Sequence, residues 1–186
     1  KRQIYPVYNV ISCAEATSNN SNLTGIPFGS RVEASNVYDI MMKTRTEGFS
    51  ELIKRRFVIG SYALLSDNID EVFSRAQKAR RLIVDKMNEF FDSFDYFITP
   101  ASFNVPKKID ELSTAWSLHP DFLDNILVLG NFGGYPSLTL PMMKEDHLPI
   151  GINITGRIFE DGYVFGLGQE IEEITGLKNL VVKEDK

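Results

Sequence analysis

The sequence is poor in the residue types that build disulfide frameworks and metal centres. It contains one cysteine, Cys13, so no disulfide can form within the chain, and such cysteine usage suits a reducing compartment. Its two histidines, His119 and His147, lie in turn-like sequence without a cysteine or histidine at metal-ligand spacing. We therefore predict a cytoplasmic protein with no metal site in this chain.

Long apolar runs are also absent. No stretch approaches the ~20 apolar residues of a membrane span, and Lys1-Arg2 is not followed by the apolar core of a signal peptide. The net charge of −5 argues against a large nucleic-acid-binding surface. We predict a single domain, residues 1–186, that does not contact a membrane. Because the chain starts without methionine, in sequence typical of a folded region, we expect it to be part of a longer protein.

Common catalytic motifs are missing as well. The chain has no Walker loop and no Gly-x-Ser-x-Gly elbow. The three glycines in Gly162–Gly168 lie inside an amphipathic segment rather than between a strand and a helix start, which disfavours a nucleotide cradle. Cys13 has no adjacent base and is better explained as a small buried residue than as a nucleophile.

A predicted β-hairpin is the clearest feature that is present. Ser137–Pro141 and Ile150–Thr155 alternate polar and apolar residues and are separated by a polar turn. Pro136 and Pro141 bracket the first strand and are expected to mark either its ends or an edge position. The preceding Gly133-Gly134 predicts a turn with positive φ or a close backbone approach.

The apolar periodicity predicts four helices and one further buried strand. Asn68 and Glu71 resemble an N-cap and its capping-box partner, so the longest helix should begin at Asn68. Val7–Ala16 is mostly small and apolar and fits either a helix or a strand. The last helix has Gly176 as its C-cap and an expected core face of Tyr163, Val164, Leu167, Ile171 and Ile174. The predicted helices are Val37–Arg45, Glu51–Leu65, Asn68–Asp92 and Glu160–Ile174, and the strand is Asp95–Thr99.

Three polar positions remain as candidates for binding. Lys54-Arg55-Arg56 places three cations on one turn of a helix with a wide apolar face, so at least one should pair with an anion near the boundary of that face. A solvated basic face is the alternative. Asp124 precedes an apolar run and is either functional or an ordinary first-turn acid. Tyr8 is either functional or a half-buried aromatic with a hydrogen-bonded hydroxyl.

Several segments in the same order resemble the amidase signature family. They are SCAEATSNNSNLTGIPFG, RTEGFSELIKRRFVIGSYALLS and NFGGYPSLTLP followed by LPIGINITGRIFED, and together they lie within residues 5–174. The series is similar to the C-terminal half of that family. S-x-A-E-A and E-G-F-…-K-R-R-…-G, which ends at Gly60, point within it to the A subunits of the glutamyl-tRNA(Gln) amidotransferases.

The resemblance implies an α/β fold, the C-terminal part of an α/β/α sandwich with a mixed sheet flanked by helices. It implies a glutaminase that releases ammonia from glutamine for a heterotrimer with partner subunits B and C. The partner would use ATP and Mg to amidate misacylated Glu-tRNA(Gln) or Asp-tRNA(Asn) and would bind the tRNA, so no cofactor is expected in this chain.

The resemblance also assigns roles to the candidate residues. Arg56 matches the family arginine that holds the α-carboxylate of glutamine, Asp124 the aspartate that holds its α-amino group, and Tyr8 a tyrosine that lines the pocket. The family's catalytic lysine, cis-serine and serine nucleophile lie in a Gly/Ser-rich stretch that this sequence lacks. We therefore expect no catalytic residue in this chain and no activity from it alone.

Two other functions fit the same sequence. One is the C-terminal part of a stand-alone amidase that acts on another amide; such an enzyme would have no use for both an arginine and an aspartate at its substrate. The other is a non-catalytic module that only holds partner subunits, which would not bind glutamine near Arg56.

Overall fold

The computed structural model describes residues 4–102, 104–106, 108, 126–145 and 148–178. The chain divides into two compact units. The first is Pro6–Arg80, and the second comprises Lys1–Tyr5 and Arg81–Lys186. None of the helices described is both long and apolar enough to cross a membrane.

The first unit is helical. It contains α1 (Ile4–Asn19, which begins in the other unit), α2 (Val37–Gly48) and α3 (Glu51–Leu64). The segment that fitted either a helix or a strand is therefore a helix. Asn36 caps α2: its side-chain Oδ1 accepts a hydrogen bond of 3.0 Å from the Asp39 backbone N–H, which satisfies one of the unpaired donors of the first turn.

The predicted cap at Asn68 is wrong, although the long helix that follows it is confirmed. A π-helical turn, Ile69–Ser74, leads into α4 (Arg75–Phe91). The backbone of Asn68 is already helical, with φ −109° and ψ −18°, and its side chain makes no cap hydrogen bond. Its amide instead donates to the Tyr62 carbonyl oxygen at 3.0 Å. The Asn68 side chain therefore satisfies a carbonyl oxygen at the end of α3, and it does not cap the next helix as the sequence pattern predicted.

The second unit combines a small sheet with helices, which confirms the α/β class. Its elements are β1 (Phe97–Pro100), α5 (Leu129–Gly133), β2 (Ser137–Glu145), β3 (Leu148–Thr155) and α6 (Asp161–Thr175). The described strands pair antiparallel in the order β1-β3-β2. One core cluster of this unit contains Leu140, Ile154 and Val164, which join α6 to one face of the sheet.

The Gly-Gly turn between α5 and β2 is confirmed. Gly134 ends α5 with φ +74°, a left-handed conformation that side chains disfavour. A Cβ atom on Gly133 would lie 2.1 Å from the ring of Tyr135, so this position also excludes a side chain. The two glycines let Tyr135 fold back over the end of α5.

The first hairpin strand does not end at Pro141, but it lies at the edge of the described sheet, which is the alternative that the two prolines predicted. Strand β2 continues to Glu145, and the pairing with β3 shifts between Pro141 and Met143. A bulge at this point accommodates a proline, which has no N–H to give to the ladder. The hairpin itself is confirmed.

The predicted core face of the last helix is confirmed only in part. Val164 is 3% exposed and packs on the sheet, whereas Tyr163 is 68% and Ile174 83% exposed. The periodicity indicates a helix with a broad apolar stripe, but the described strands of the sheet cover only part of that stripe. The C-cap at Gly176 is confirmed by its φ of +66° and its N–H bond to the Glu172 carbonyl oxygen at 3.0 Å.

Tyr135 fixes α4 against the end of α5, and we expect Tyr135→Phe to lower the free energy of unfolding by ~1 kcal/mol. Its ring is buried, and its hydroxyl donates to the Asn88 Oδ1 at 2.6 Å. Removal of the hydroxyl leaves that amide oxygen without this donor. Urea titration followed by circular dichroism measures the change. Tyr163→Phe, on a side chain 68% exposed, is the control and should change stability by less than ~0.5 kcal/mol. Equal effects of the two substitutions would contradict the prediction.

Candidate functional site

The helices α1 and α3 approach each other so closely that no side chain fits at the contact. A Cβ atom added to Gly60 would lie 2.1 Å from the Cys13 carbonyl oxygen and 2.2 Å from the Thr17 Oγ1. The Thr17 hydroxyl donates to the Cys13 carbonyl oxygen at 2.8 Å and lies 3.4 Å from the Phe57 carbonyl oxygen on α3. Small buried residues on both helices, Ala14 and Ala63 among them, permit this spacing.

Arg45 on α2 holds the end of α1. Its Nη1 donates to the carbonyl oxygens of Asn20 at 2.7 Å and Leu23 at 2.9 Å. Its guanidinium carbon also lies 5.1 Å from the ring centre of Phe49 and 5.4 Å from that of Phe57. The cation thus satisfies backbone acceptors after α1 and lies over two aromatic rings that pack edge to face.

The three cations of Lys54-Arg55-Arg56 have different surroundings. Lys54 forms an ion pair of 2.6 Å with Glu51 and donates to the Thr46 carbonyl oxygen, so the predicted pairing with an anion is confirmed for this residue. Arg55 and Arg56 are exposed. No carboxylate of the described residues lies within ion-pair distance of the Arg56 guanidinium.

The charge of Arg56 reaches the α1–α3 contact. Burial raises the pKa of the Cys13 thiol above its usual value because a buried thiolate loses hydration, while the positive charge of Arg56 and a hydrogen bond from Ser12 oppose that rise. The dominant effect is burial, so the thiol stays protonated near neutral pH and a nucleophilic role is disfavoured. Gly60, four residues after Arg56, meets Cys13 directly, so Arg56 lies on the side of α3 that faces α1.

Two of the three predicted binding residues lie on the contacting helices. Tyr8, half-buried, precedes Cys13 on α1, and Arg56 precedes Gly60 by about one turn on α3. Asp124 lies outside the described residues. The roles of all three at a substrate stay predictions. The sequence motif E-G-F-…-K-R-R-…-G ends at Gly60 but gave that glycine no role, and Thr17 was not singled out.

A cavity of about 420 Å³ lies elsewhere in the same unit. It is lined by the loop after α1 and the end of α2, with Leu23, Phe28, Val32, Thr44 and Phe49 in its wall. Neither Tyr8 nor Arg56 lines it. Its wall offers mainly apolar surface, which does not suit a free amino acid with two charges.

Comparison with known proteins extends the similarity over most of the chain. The glutamyl-tRNA(Gln) amidotransferase A subunit of Thermotoga maritima is 34% identical over 166 residues, which are 89% of this chain and 34% of that protein. The corresponding A subunit of Wolinella succinogenes is 35% identical over 170 residues, 91% of this chain and 37% of that protein. The chain thus spans about a third of the length of these relatives.

Solved structures agree with this fold. A bacterial aryl acylamidase of the amidase signature family superimposes with a TM-score of 0.64 at 20% identity, over 92% of this chain and 33% of that one. The crystal structure of the Thermotoga maritima A subunit gives a TM-score of 0.50 at 26% identity, over 90% of this chain and 40% of that one. Residues 1–165 match the Amidase family, and the chain therefore belongs to the amidase family.

Proposed function

We propose that this chain is the glutamine-recognising part of the glutaminase subunit of a tRNA-dependent amidotransferase. The complete protein would hydrolyse the side-chain amide of glutamine to glutamate and ammonia. Partner subunits B and C would receive the ammonia and use ATP and Mg to amidate misacylated Glu-tRNA(Gln) or Asp-tRNA(Asn). The similarity to amidotransferase A subunits over about nine tenths of the chain supports this assignment.

The guanidinium of Arg56 is the structural observation that carries the proposal. Lys54, two residues earlier, is already neutralised by Glu51, whereas Arg56 is exposed and has no carboxylate partner in the described part of the chain. An arginine in this state can bind an external carboxylate through two parallel N–H donors. The α-carboxylate of glutamine is the anion that the family resemblance assigns to it.

Free glutamine carries one anion and one cation on its α-carbon, so its recognition requires one group of each sign. Arg56 would bind the carboxylate, Asp124 would accept hydrogen bonds from the ammonium group, and Tyr8 would line the pocket. A site for an apolar amide needs neither charge. The two charged residues therefore separate a glutaminase from a stand-alone amidase that acts on another amide.

We expect Arg56→Ala to weaken glutamine binding about thirtyfold, because a charge-assisted hydrogen bond contributes roughly 1.5–3 kcal/mol. Calorimetric titration should compare glutamine with 4-aminobutanamide, which lacks the carboxylate, and with glutaramate, which lacks the amine. Arg56→Ala should weaken the binding of glutamine and of glutaramate and leave the binding of 4-aminobutanamide unchanged. Asp124→Asn should weaken glutamine and 4-aminobutanamide and leave glutaramate unchanged.

Arg55→Ala is the matched control, since Arg55 is exposed and adjacent but carries no assigned role. It should leave all three affinities within about twofold. In a second measurement this chain is combined with the N-terminal part of one of the amidotransferase relatives, and ammonia release from glutamine is compared with release from an apolar amide. Equal losses on both amides in Arg56→Ala would favour the stand-alone amidase. If no amide bound or reacted, the non-catalytic module would be favoured.

A further inference from the structure

A close contact between α1 and α3 lies one turn away from Arg56. Gly60 follows Arg56 by four residues on α3, so both residues lie on the same side of that helix. The space that a Gly60 side chain would need is filled by the backbone of α1 at Cys13 and by the Thr17 hydroxyl. Arg56 therefore lies one turn before the point at which α3 meets the backbone of α1.

Gly60 lowers the stability of the helix in which it lies. A glycine inside a helix destabilises it by roughly 1 kcal/mol relative to alanine, because the unfolded chain has more freedom to lose. Its φ is not left-handed, so no backbone strain requires glycine here. The close approach to Cys13 is the property that alanine could not provide.

The Thr17 hydroxyl adds a polar link at the same point. It donates to Cys13 within α1 and lies 3.4 Å from the carbonyl oxygen of Phe57, the residue next to Arg56. A threonine in a helix can return its hydroxyl to a carbonyl four residues earlier, and this one also faces α3. Its hydroxyl thus touches the backbone of the turn that carries Arg56.

We propose that Gly60 and Thr17 are positioning residues for Arg56: the contact that they make between α3 and α1 fixes the place where the guanidinium meets a substrate carboxylate. The inference rests on the proposed function for its ligand, but not for its geometry. A binding group must be held within roughly 0.5 Å of its productive position, and a misplacement of ~1 Å can cost a hundredfold in rate. An alanine Cβ at 2.1 Å from the Cys13 oxygen would force a displacement of about this size.

The first test compares Gly60→Ala with Gly48→Ala by calorimetric titration. A Cβ atom on Gly48 meets nothing within 4 Å, so this variant controls for the change from glycine to alanine in the same unit. We expect Gly60→Ala to weaken glutamine about tenfold or more and to leave 4-aminobutanamide unchanged, because only the carboxylate contact is displaced. Gly48→Ala should leave both affinities unchanged.

A double-mutant comparison shows whether Gly60 acts through Arg56. If it does, Gly60→Ala should have no further effect on glutamine affinity once Arg56→Ala is present. If Gly60→Ala lowered glutamine affinity equally in the wild type and in the Arg56→Ala variant, the proposal would be overturned. Thr17→Val removes the hydroxyl with little change of shape and should weaken glutamine selectively, whereas Thr17→Ser should restore the affinity. These threonine variants keep the test decisive if Gly60→Ala does not fold.

A second readout does not depend on glutamine. Cys13 is the only thiol of the chain, so its ¹³Cβ resonance in the labelled protein can be titrated with pH without ambiguity. Arg56 lowers the pKa of this thiol against the effect of burial. Gly60→Ala should therefore raise the thiol pKa further and in the same direction as Arg56→Ala, and Gly48→Ala should leave it unchanged.

The two readouts separate the two proposals. If glutamine does not bind, but Gly60→Ala and Thr17→Val shift the Cys13 titration only while Arg56 is present, the glutamine function fails and the positioning of Arg56 stands. If glutamine binds through Arg56 and the titration and affinity of Gly60→Ala equal those of the wild type, the positioning role is overturned.

Discussion

Replacement of Ile154 by alanine should lower the free energy of unfolding of the second unit by about 3–4 kcal/mol. Ile154 is 0% exposed and lies on the central strand of the described sheet. It packs with Leu140 and Val164 beneath α6. Its truncation removes apolar contact and leaves a cavity that strands paired on both sides cannot collapse to fill.

Ile98 provides the matched control for this prediction. It pairs with Ile154 across β1 and β3, and therefore lies on the same face, but it is 52% exposed. Ile98→Ala should cost less than about 1 kcal/mol. Urea denaturation followed by circular dichroism gives both values. A loss at Ile98 as large as that at Ile154 would show that burial against α6 is not the source of the stability.

Arg45→Ala should lower the free energy of unfolding of the first unit by about 3 kcal/mol. The substitution removes two charge-assisted hydrogen bonds, to the carbonyl oxygens of Asn20 and Leu23, and the contact with the rings of Phe49 and Phe57. Hydrogen exchange of the α1 and α2 amides should report the loss locally, because the carbonyl oxygens after α1 lose their donor.

Arg45→Lys tests whether charge alone is sufficient. Lysine keeps the positive charge but lacks the planar guanidinium, which can donate hydrogen bonds and lie over aromatic rings at the same time. We expect it to recover less than half of the lost stability. Arg55→Ala, on an exposed side chain of α3, should change stability by less than ~0.5 kcal/mol. Full recovery in Arg45→Lys would contradict the geometric explanation.

The position of the helices and of the hairpin could be predicted because their periodicity is local. The alternation in Ser137–Pro141 and Ile150–Thr155 predicts two paired strands, and the structure contains them as β2 and β3. The absence of a side-chain cap at Asn68 could not be predicted, because it depends on the Tyr62 carbonyl oxygen, which accepts the hydrogen bond of the Asn68 amide. The prediction that the whole apolar face of α6 is buried failed for a related reason. The width of the sheet decides how much of a helix face is covered.

For the candidate site, the sequence predicts which residue types recognise a free amino acid. Arg56 and Asp124 supply the two charges that glutamine requires, and the family resemblance selects them among the other charged residues. Neither periodicity nor charge indicated that Lys54 would be neutralised by Glu51 while Arg56 keeps no carboxylate partner in the described part of the chain.

The sequence by itself determined the family, the α/β class and the candidate residues, since these depend on local patterns and on the order of motifs along the chain. Only the tertiary structure decided that α3 lies against the backbone of α1 at Gly60 and Cys13. These residues are far apart in sequence, and a glycine has no side chain from which its contact partner could be predicted. Close packing is a property of two surfaces together, and it emerges only when both are in place.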